Sequence, residues 1–142
     1  MLSQAHHSIL VSTPGQGFTD LTRKVAHWLG QIGADAGLLT LFVRHTSASL
    51  TIQENADPDV QRDLIEALDR AAPRSHPYHH SLEGPDDMPA HIRAMLTATS
   101  LAIPVLGAKM VLGRWQAIYL IEHRDQGHER EIALQFLGTF KA

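Results

Sequence analysis

Four histidines, His76, His79, His80 and His91, crowd into one polar stretch that also carries Glu83, Asp86 and Asp87. Imidazole nitrogens and carboxylate oxygens ligate divalent cations and move protons, so this is the segment where chemistry is concentrated. A second polar stretch, Arg44-His45-Thr46-Ser47-Ala48-Ser49-Leu50-Thr51-Ile52-Gln53-Glu54-Asn55, places a histidine, small hydroxyls and amides behind an apolar run, Leu38 to Val43. His45, His80 and His91 could supply three neutral imidazoles to a metal and leave a position open for water or substrate. With imidazole donors and no thiolate, zinc is favoured and magnesium is possible. The same histidines also read as ordinary hydrogen-bonding residues, because no HExxH or other short ligand spacing accompanies them. Glu83, Asp86 and Asp87 could ligate, orient an imidazole or act as a base. They equally suit a turn at Gly84-Pro85 and the cap of a following helix. The expectation is that the two stretches meet and that the three imidazoles point into one cavity.

Other reactive residue types form weaker patterns. Ser47 and Ser49 beside His45 lack a nucleophile elbow, and Thr46-Ser47 at a strand end suits bonds to backbone or to a ligand oxygen. Glu122-His123-Arg124 follows the apolar Ile118 to Ile121 and either presents charge at a sheet rim or is a solvated strand end. Arg44, Arg114 and Arg130 could receive phosphate or be surface charges, and Trp115 could be core or a substrate platform.

Composition narrows the classes. A chain of 142 residues has the size of one domain, so 1–142 is read as a single unit. It has no cysteine, which removes disulfides, thiolate metal sites and a cysteine nucleophile. A formal net charge of -3 and the lack of a Lys/Arg block give nucleic acid no electrostatic foothold. No apolar run approaches a membrane span and no leader pattern opens the chain, so the expectation is a cytoplasmic protein without a membrane partner.

The elements that must position these residues follow from periodicity. Ser8 to Ser12 reads as a strand, stopped by Pro14-Gly15-Gln16-Gly17. A helix capped by Thr19 or Asp20 follows, burying Leu21, Val25, Trp28, Leu29 and Ile32. Strands are expected over Leu38 to Arg44 and Ser49 to Ile52. Asp57-Pro58 opens a helix whose buried face is Val60, Leu64, Ile65, Leu68 and Ala72. Residues 74 to 88 read as a functional loop, and Pro89 opens a short helix carrying Ile92, Met95 and Leu96 inward. Four strands complete the chain: Ser100 to Leu106, Lys109 to Leu112, Trp115 to Glu122 and Glu131 to Leu137. Strands running sequentially through short turns predict an α+β fold, an antiparallel sheet with segregated helices.

Together these stretches closely resemble the YjbQ family, described as secondary thiamine-phosphate synthase enzymes. The resemblance is carried by His45-Thr46-Ser47-Ala48-Ser49-Leu50-Thr51, Glu54-Asn55, Asp57-Pro58, Glu83-Gly84, Asp86-Asp87-Met88-Pro89, His91-Ile92, Thr99-Ser100-Leu101, Trp115-Gln116 and Glu122-His123-Arg124, with His80 and Arg130 also at family positions. It implies a curved, sandwich-like antiparallel sheet assembled as a homotrimer, with a histidine cluster suited to metal. The implied reaction joins hydroxymethylpyrimidine diphosphate to thiazole phosphate and releases diphosphate, as a weak activity on a phosphorylated small molecule. The implied roles are His45, His80 and His91 for the metal, and Glu122, His123 and Arg130 for catalysis. Thr46, Ser47, Asn55, Trp115 and Gln116 fall to the substrate. Metal-assisted phosphoester hydrolysis and non-enzymatic binding of metal or small molecule are the alternatives. Ser81, Ala98 and Glu131 depart from the family pattern, and Glu131 lowers the positive charge beside Arg130.

Overall fold

In the computed structural model, which describes residues 1–142, strands β1 (Ser3–Ser12) and β2 (Gly17–Asp20) precede helix α1 (Thr22–Gln31). Strands β3 (Ala34–Val43) and β4 (Ala48–Glu54) lead to helices α2 (Pro58–Ala71) and α3 (Asp87–Leu96). Strands β5 (Ser100–Leu106), β6 (Lys109–Met110), β7 (Gln116–Glu122) and β8 (Glu129–Phe140) end the chain. All pairings are antiparallel, in a five-stranded sheet ordered β1-β8-β3-β5-β6 and a three-stranded sheet ordered β2-β7-β4. Alternation explains the layers. Leu39, Leu41 and Val43 of β3 and Ile132, Leu134 and Phe136 of β8 turn inward. They meet Leu50, Ile118 and Leu120 of the small sheet, and Val25, Trp28 and Leu29 of α1 join the same core. The α+β class with a curved antiparallel sheet is therefore the observed one.

The strand order differs from a sequential meander, since β5 and β6 are the one consecutive pair that is hydrogen-bonded. Their two-residue turn needs positive φ at both central positions, met by Gly107 at 57° and Ala108 at 68°. Elsewhere β8 lies between β1 and β3. Alternation tells a strand which face is apolar and says nothing about its neighbour. The four residues of β2, expected as turn and cap, pair with β7, and Phe18 meets Tyr119 edge to face at 5.6 Å. A strand so short carries no readable period. β1 starts five residues earlier than expected and β6 ends sooner.

Helix α1 keeps its expected face, burying Leu21, Val25, Trp28 and Leu29, but its N-cap is Leu21 in place of Thr19 or Asp20. Helix α3 starts at Asp87, two residues before Pro89, and only α2 keeps its expected cap. Asp57 Oδ1 accepts the Asp59 N–H at 2.9 Å, with Pro58 in the first turn of α2. Yet no residue within α2 is fully buried; Val60, Leu64, Ile65 and Leu68 are half-buried, and only Ala72 beyond it is enclosed. On α3, of the three residues expected inward, Ile92 is half-buried and Met95 and Leu96 are 80% and 56% exposed, while Asp87, Ala90, Arg93 and Ala94 are buried. Arg93 decides this. Its Nη2 donates to the Ala72 carbonyl at 3.2 Å and forms an ion pair with Asp69 Oδ1 at 2.8 Å, which turns a polar face toward α2. No helix is long and apolar enough to cross a membrane.

The strand ends define the site. Ala48 at the start of β4 pairs with Glu122 at the end of β7, and the Arg44 N–H donates to the Glu131 carbonyl at 3.1 Å. The N-terminal end of α3 reaches the same corner through the Asp86–Arg124 ion pair, at 2.9 Å.

Candidate functional site

Asp87, in the first turn of α3, is the centre of the polar cluster. Its Oδ2 lies 2.6 Å from His80 Nε2 and 3.1 Å from His91 Nε2, and these three donor atoms all fall within 4.8 Å of one another. The spacing of Asp87 and His91 puts both on one helical face one turn apart. His80 arrives from the preceding loop. Asp87 Oδ1 instead forms an ion pair with Arg124 Nη1 at 3.0 Å. Burial works against ionisation of Asp87, but the His80 hydrogen bond and the neighbouring cationic groups hold its carboxyl below the usual range. Asp86 is held down to about 2, first by its hydrogen bond with Arg124.

The rings face different partners. His91 Nδ1 lies 3.0 Å from the Thr46 carbonyl, so it must carry a proton to donate there. Its Nε2 then meets the Asp87 carboxylate, a second acceptor. Both expected stretches do converge here, since a cleft of about 230 Å³ is lined by His45, Thr46, His91, Ala94, Met95 and Thr99. His45, however, uses Nε2 to accept the Glu131 N–H at 2.7 Å and stands apart from the His80–Asp87–His91 cluster. Burial and the nearby Arg130 charge lower its pKa.

Behind the cleft lies a buried polar layer. Glu122, His123 and Arg130 are 0%, 1% and 4% exposed, so none of them rims a sheet. Arg130 Nε donates to Glu122 Oε1 at 2.8 Å, its Nη2 to Glu122 Oε2, and Nη2 also reaches Ser47 Oγ at 3.0 Å. Thr13 Oγ1 donates to Glu122 Oε1 at 2.6 Å and the Arg124 N–H to Oε2 at 3.2 Å. These bonds outweigh burial and keep Glu122 ionised below its ordinary range. His123 Nε2 is 2.8 Å from Ser49 Oγ, which in turn accepts from Thr97 Oγ1 at 2.6 Å. Burial, reinforced by the Arg93 charge, pushes His123 down to about 4. Thus Thr46 lines the cleft, whereas Ser47 is buried with the Glu122–His123–Arg130 group, which faces the interior.

Asn55, Trp115 and Gln116 lie elsewhere in the chain's fold. The Asn55 N–H donates to the Trp115 carbonyl at 2.9 Å, and Glu54 pairs with Gln116 at the opposite end of β4 from Ala48. With about 3.3 Å per residue, that is roughly 20 Å from the histidine end. Trp115 is 55% exposed under the Arg114 guanidinium, 4.9 Å from its ring centroid. Arg124 is the residue that sequence reasoning left at a strand end and the structure moves to the centre. Its signal was its place directly after two residues that β7 carries inward, opposite the adjacent acids Asp86-Asp87.

Comparison with known proteins agrees with this architecture. The family model described as UPF0047 protein YjbQ-like matches residues 7–139. A UPF0047 protein of Synechocystis is 47% identical over 135 residues, covering 94% of this chain and 92% of that protein. UPF0047 protein YjbQ of Escherichia coli O157:H7 is 39% identical over 132 residues, 92% of this chain and 96% of its own. A YbjQ-like protein of unknown function from Sulfolobus solfataricus superimposes with a TM-score of 0.89 at 26% identity, over 98% of this chain and all of that one (100%). A conserved hypothetical protein from Thermus thermophilus gives 0.80 at 38% identity, over 90% and 97%. Sequence matched along nearly the whole length, on a common fold, means that the chain belongs to the YjbQ family.

Proposed function

We propose that the chain is a metal-dependent enzyme acting on a phosphorylated small molecule, with the coupling of hydroxymethylpyrimidine diphosphate to thiazole phosphate as the first reaction to test. The observation that supports it most is the His91 ring, which faces an acceptor at each nitrogen, Thr46 O and Asp87 Oδ2. A neutral imidazole has one N–H, so one of these contacts lacks a proton. A second proton, giving an imidazolium beside the Asp87 carboxylate, satisfies both contacts. A cation does so with a neutral ring, Nδ1–H given to the carbonyl while the Nε2 lone pair turns to the ion, the usual arrangement of a ligating histidine. His80 and Asp87 would complete the donor set. Two imidazoles and one carboxylate suit zinc better than magnesium. His45, whose Nε2 is occupied by the Glu131 N–H, is assigned here a donor role through Nδ1–H instead of ligation.

When bound, such an ion compensates charge on a departing diphosphate or lowers the pKa of water. The chain's residues supply the surroundings. Met95 and Ala94 give the cleft an apolar wall, and Thr46 and His45 give it polar atoms. Free positive charge is scarce, because Arg44, Arg93, Arg124 and Arg130 each already face a carboxylate. Diphosphate departure needs metal and cationic groups together, so synthesis should be slow and require added divalent ion. The proposal includes homotrimeric assembly, supported by exposed apolar side chains on the outer face of the five-stranded sheet.

The test combines metal analysis with a coupled assay of thiamine phosphate and diphosphate. His80→Ala and His91→Ala should lose metal, and His45→Ala should retain it while slowing turnover. Product in wild type that disappears with chelator supports the synthase reading. Phosphoester hydrolysis without coupling favours a hydrolase, and saturable binding without turnover favours a binding protein. Unchanged metal content in all three variants would remove the site.

A further inference from the structure

Arg124 spends its guanidinium on the N-terminal end of α3 and the loop before it. Nε donates to Asp86 Oδ2 at 2.9 Å, Nη2 donates to the Glu83 carbonyl at 3.1 Å and to Asp86 Oδ1 at 3.4 Å, and Nη1 forms an ion pair with Asp87 Oδ1 at 3.0 Å. Asp86, although it stands at the helix N-cap, makes no capping bond of its own. Its Oδ2 instead also accepts the Asp125 N–H at 2.9 Å, which fixes the far side of the fork. Asp87 is therefore pinned at one oxygen and presents only the other, Oδ2, to His80 and His91.

From this we infer that Arg124 is a positioning residue that sets the metal preference of the cluster by holding Asp87 to one ligating oxygen. The inference rests on the metal reading above and adds a selector to it. Two imidazoles and a single carboxylate oxygen make a small, nitrogen-rich donor set, which suits a four-coordinate borderline ion such as zinc. A carboxylate with both oxygens free can bind in bidentate fashion, the mode that larger oxygen-seeking cations with higher coordination numbers use. The guanidinium also matters through its charge. With it, Asp86, Asp87 and Arg124 sum to one negative charge; without it they sum to two, a change that favours a hard cation held mainly by charge.

Lysine cannot replace this fork, since one ammonium has no planar pair of donors with which to hold two carboxylates in fixed register. The comparison that decides is the ratio of zinc to manganese affinity, measured by competition titration of wild type, Arg124→Gln and Arg124→Lys, each first shown to be folded by circular dichroism. Loss of an outer partner of a metal ligand typically costs about 10–100-fold in affinity. Zinc affinity should fall within that range in Arg124→Gln, while manganese affinity falls less or rises, so that the ratio contracts by roughly tenfold or more. Arg124→Lys should contract the ratio as well. The visible spectrum of cobalt-loaded protein gives an independent readout, with a shift from strong four-coordinate bands toward weak six-coordinate ones in Arg124→Gln. A ratio that stays constant in both variants, or a full recovery with lysine, overturns the positioning role while leaving the metal site intact. Wild-type protein that takes up neither ion overturns the site and this inference together.

Discussion

His123 shows how one buried side chain can couple this fold to pH. It is 1% exposed, bonded through Nε2 to Ser49 Oγ, and faces the charges of Arg93 from α3, Glu122 beside it and Arg130 from β8. Its pKa falls from 6.5 in the open chain to about 4 in the fold, chiefly through burial. The unfolded state therefore takes up a proton at a pH where the native state does not, and stability falls as pH drops from 6.5 toward 4. At 1.36 kcal/mol per unit, this group alone removes about 2 kcal/mol between pH 7 and pH 5. Glu122, whose pKa is lowered, acts further down: its stabilising contribution is lost progressively as pH falls from the ordinary value of 4.5 toward its lower native pKa. Urea unfolding of wild type and His123→Gln at the two pH values checks the assignment: the variant should lose much less stability on acidification. An equal loss in both would place the sensitivity elsewhere. The residue types of the site were legible in the sequence, and His80 and His91 do come together as expected. The third partner, Asp87, could not be chosen over Glu83 or Asp86 without knowing where the α3 axis points. The inward turn of Glu122, His123 and Arg130 was hidden because a charged run after an apolar strand looks the same whether it is solvated or internally paired.

Among the elements, α2 is the one held by tethers more than by packing. Its apolar face is half-buried, whereas α1 encloses Val25, Trp28 and Leu29. Asp69 supplies two ties, an ion pair with Arg93 Nη2 at 2.8 Å and a hydrogen bond accepted from Gln16 Nε2 at 3.0 Å. Few buried apolar contacts mean a low free energy of local opening. Amide hydrogens of 58–71 should therefore exchange faster than those of 22–31. Removing Asp69 leaves Arg93, 1% exposed and already lacking partners at Nε and Nη1, with the Ala72 carbonyl alone. A hydrogen bond to a charged group contributes about 1.5–3 kcal/mol, and the half-exposed Asp69 places the loss near the lower end. In Asp69→Ala the exchange of α2 should rise by roughly tenfold, the equivalent of about 1.4 kcal/mol, while α1 changes little. Equal acceleration of both helices would mean that α2 opens only with the whole domain. Caps and periods marked the start of this helix to the residue, through Asp57 and Pro58. They did not reveal that its apolar stripe lies over the small sheet with a cavity between them, lined by Phe18, Thr51, Ile121, Leu64 and Leu68, and stays half open, because burial depends on what the stripe finds opposite it.

At the scale of the molecule, the two faces of the five-stranded sheet differ in kind. The inner face is core, and the outer face leaves Leu10, Leu38, Phe42, Leu106 and Leu137 at 64%, 44%, 49%, 63% and 49% exposure. Register brings part of this set together: Leu38 pairs with Leu137 on one side and with Pro104 on the other, and Phe42 lies beside Ala133, while Leu10 pairs with Glu131 and Leu106 with Lys109. A sheet that buries only one side normally alternates with polar residues on the other, so an apolar outer face marks an association surface. Three copies sharing such a face would form a closed ring of the heterologous type. Sedimentation should then give a single species of three times 15.7 kDa. The double substitution Leu38→Glu, Leu137→Glu places like charges directly opposite one another on this face, with no inward side chain altered. It should yield a one-chain mass with a native circular dichroism spectrum, and a small loss of thermal stability from the charge pair. A three-chain mass that survives the substitution would move the interface to another surface, whereas a one-chain wild type would end the trimer proposal. The same double variant also separates assembly from metal uptake. The cluster of His80, Asp87 and His91 draws all its donors from one chain, so a monomeric variant should still bind metal. If uptake vanishes together with the trimer, a neighbouring copy must hold the loop that carries His80.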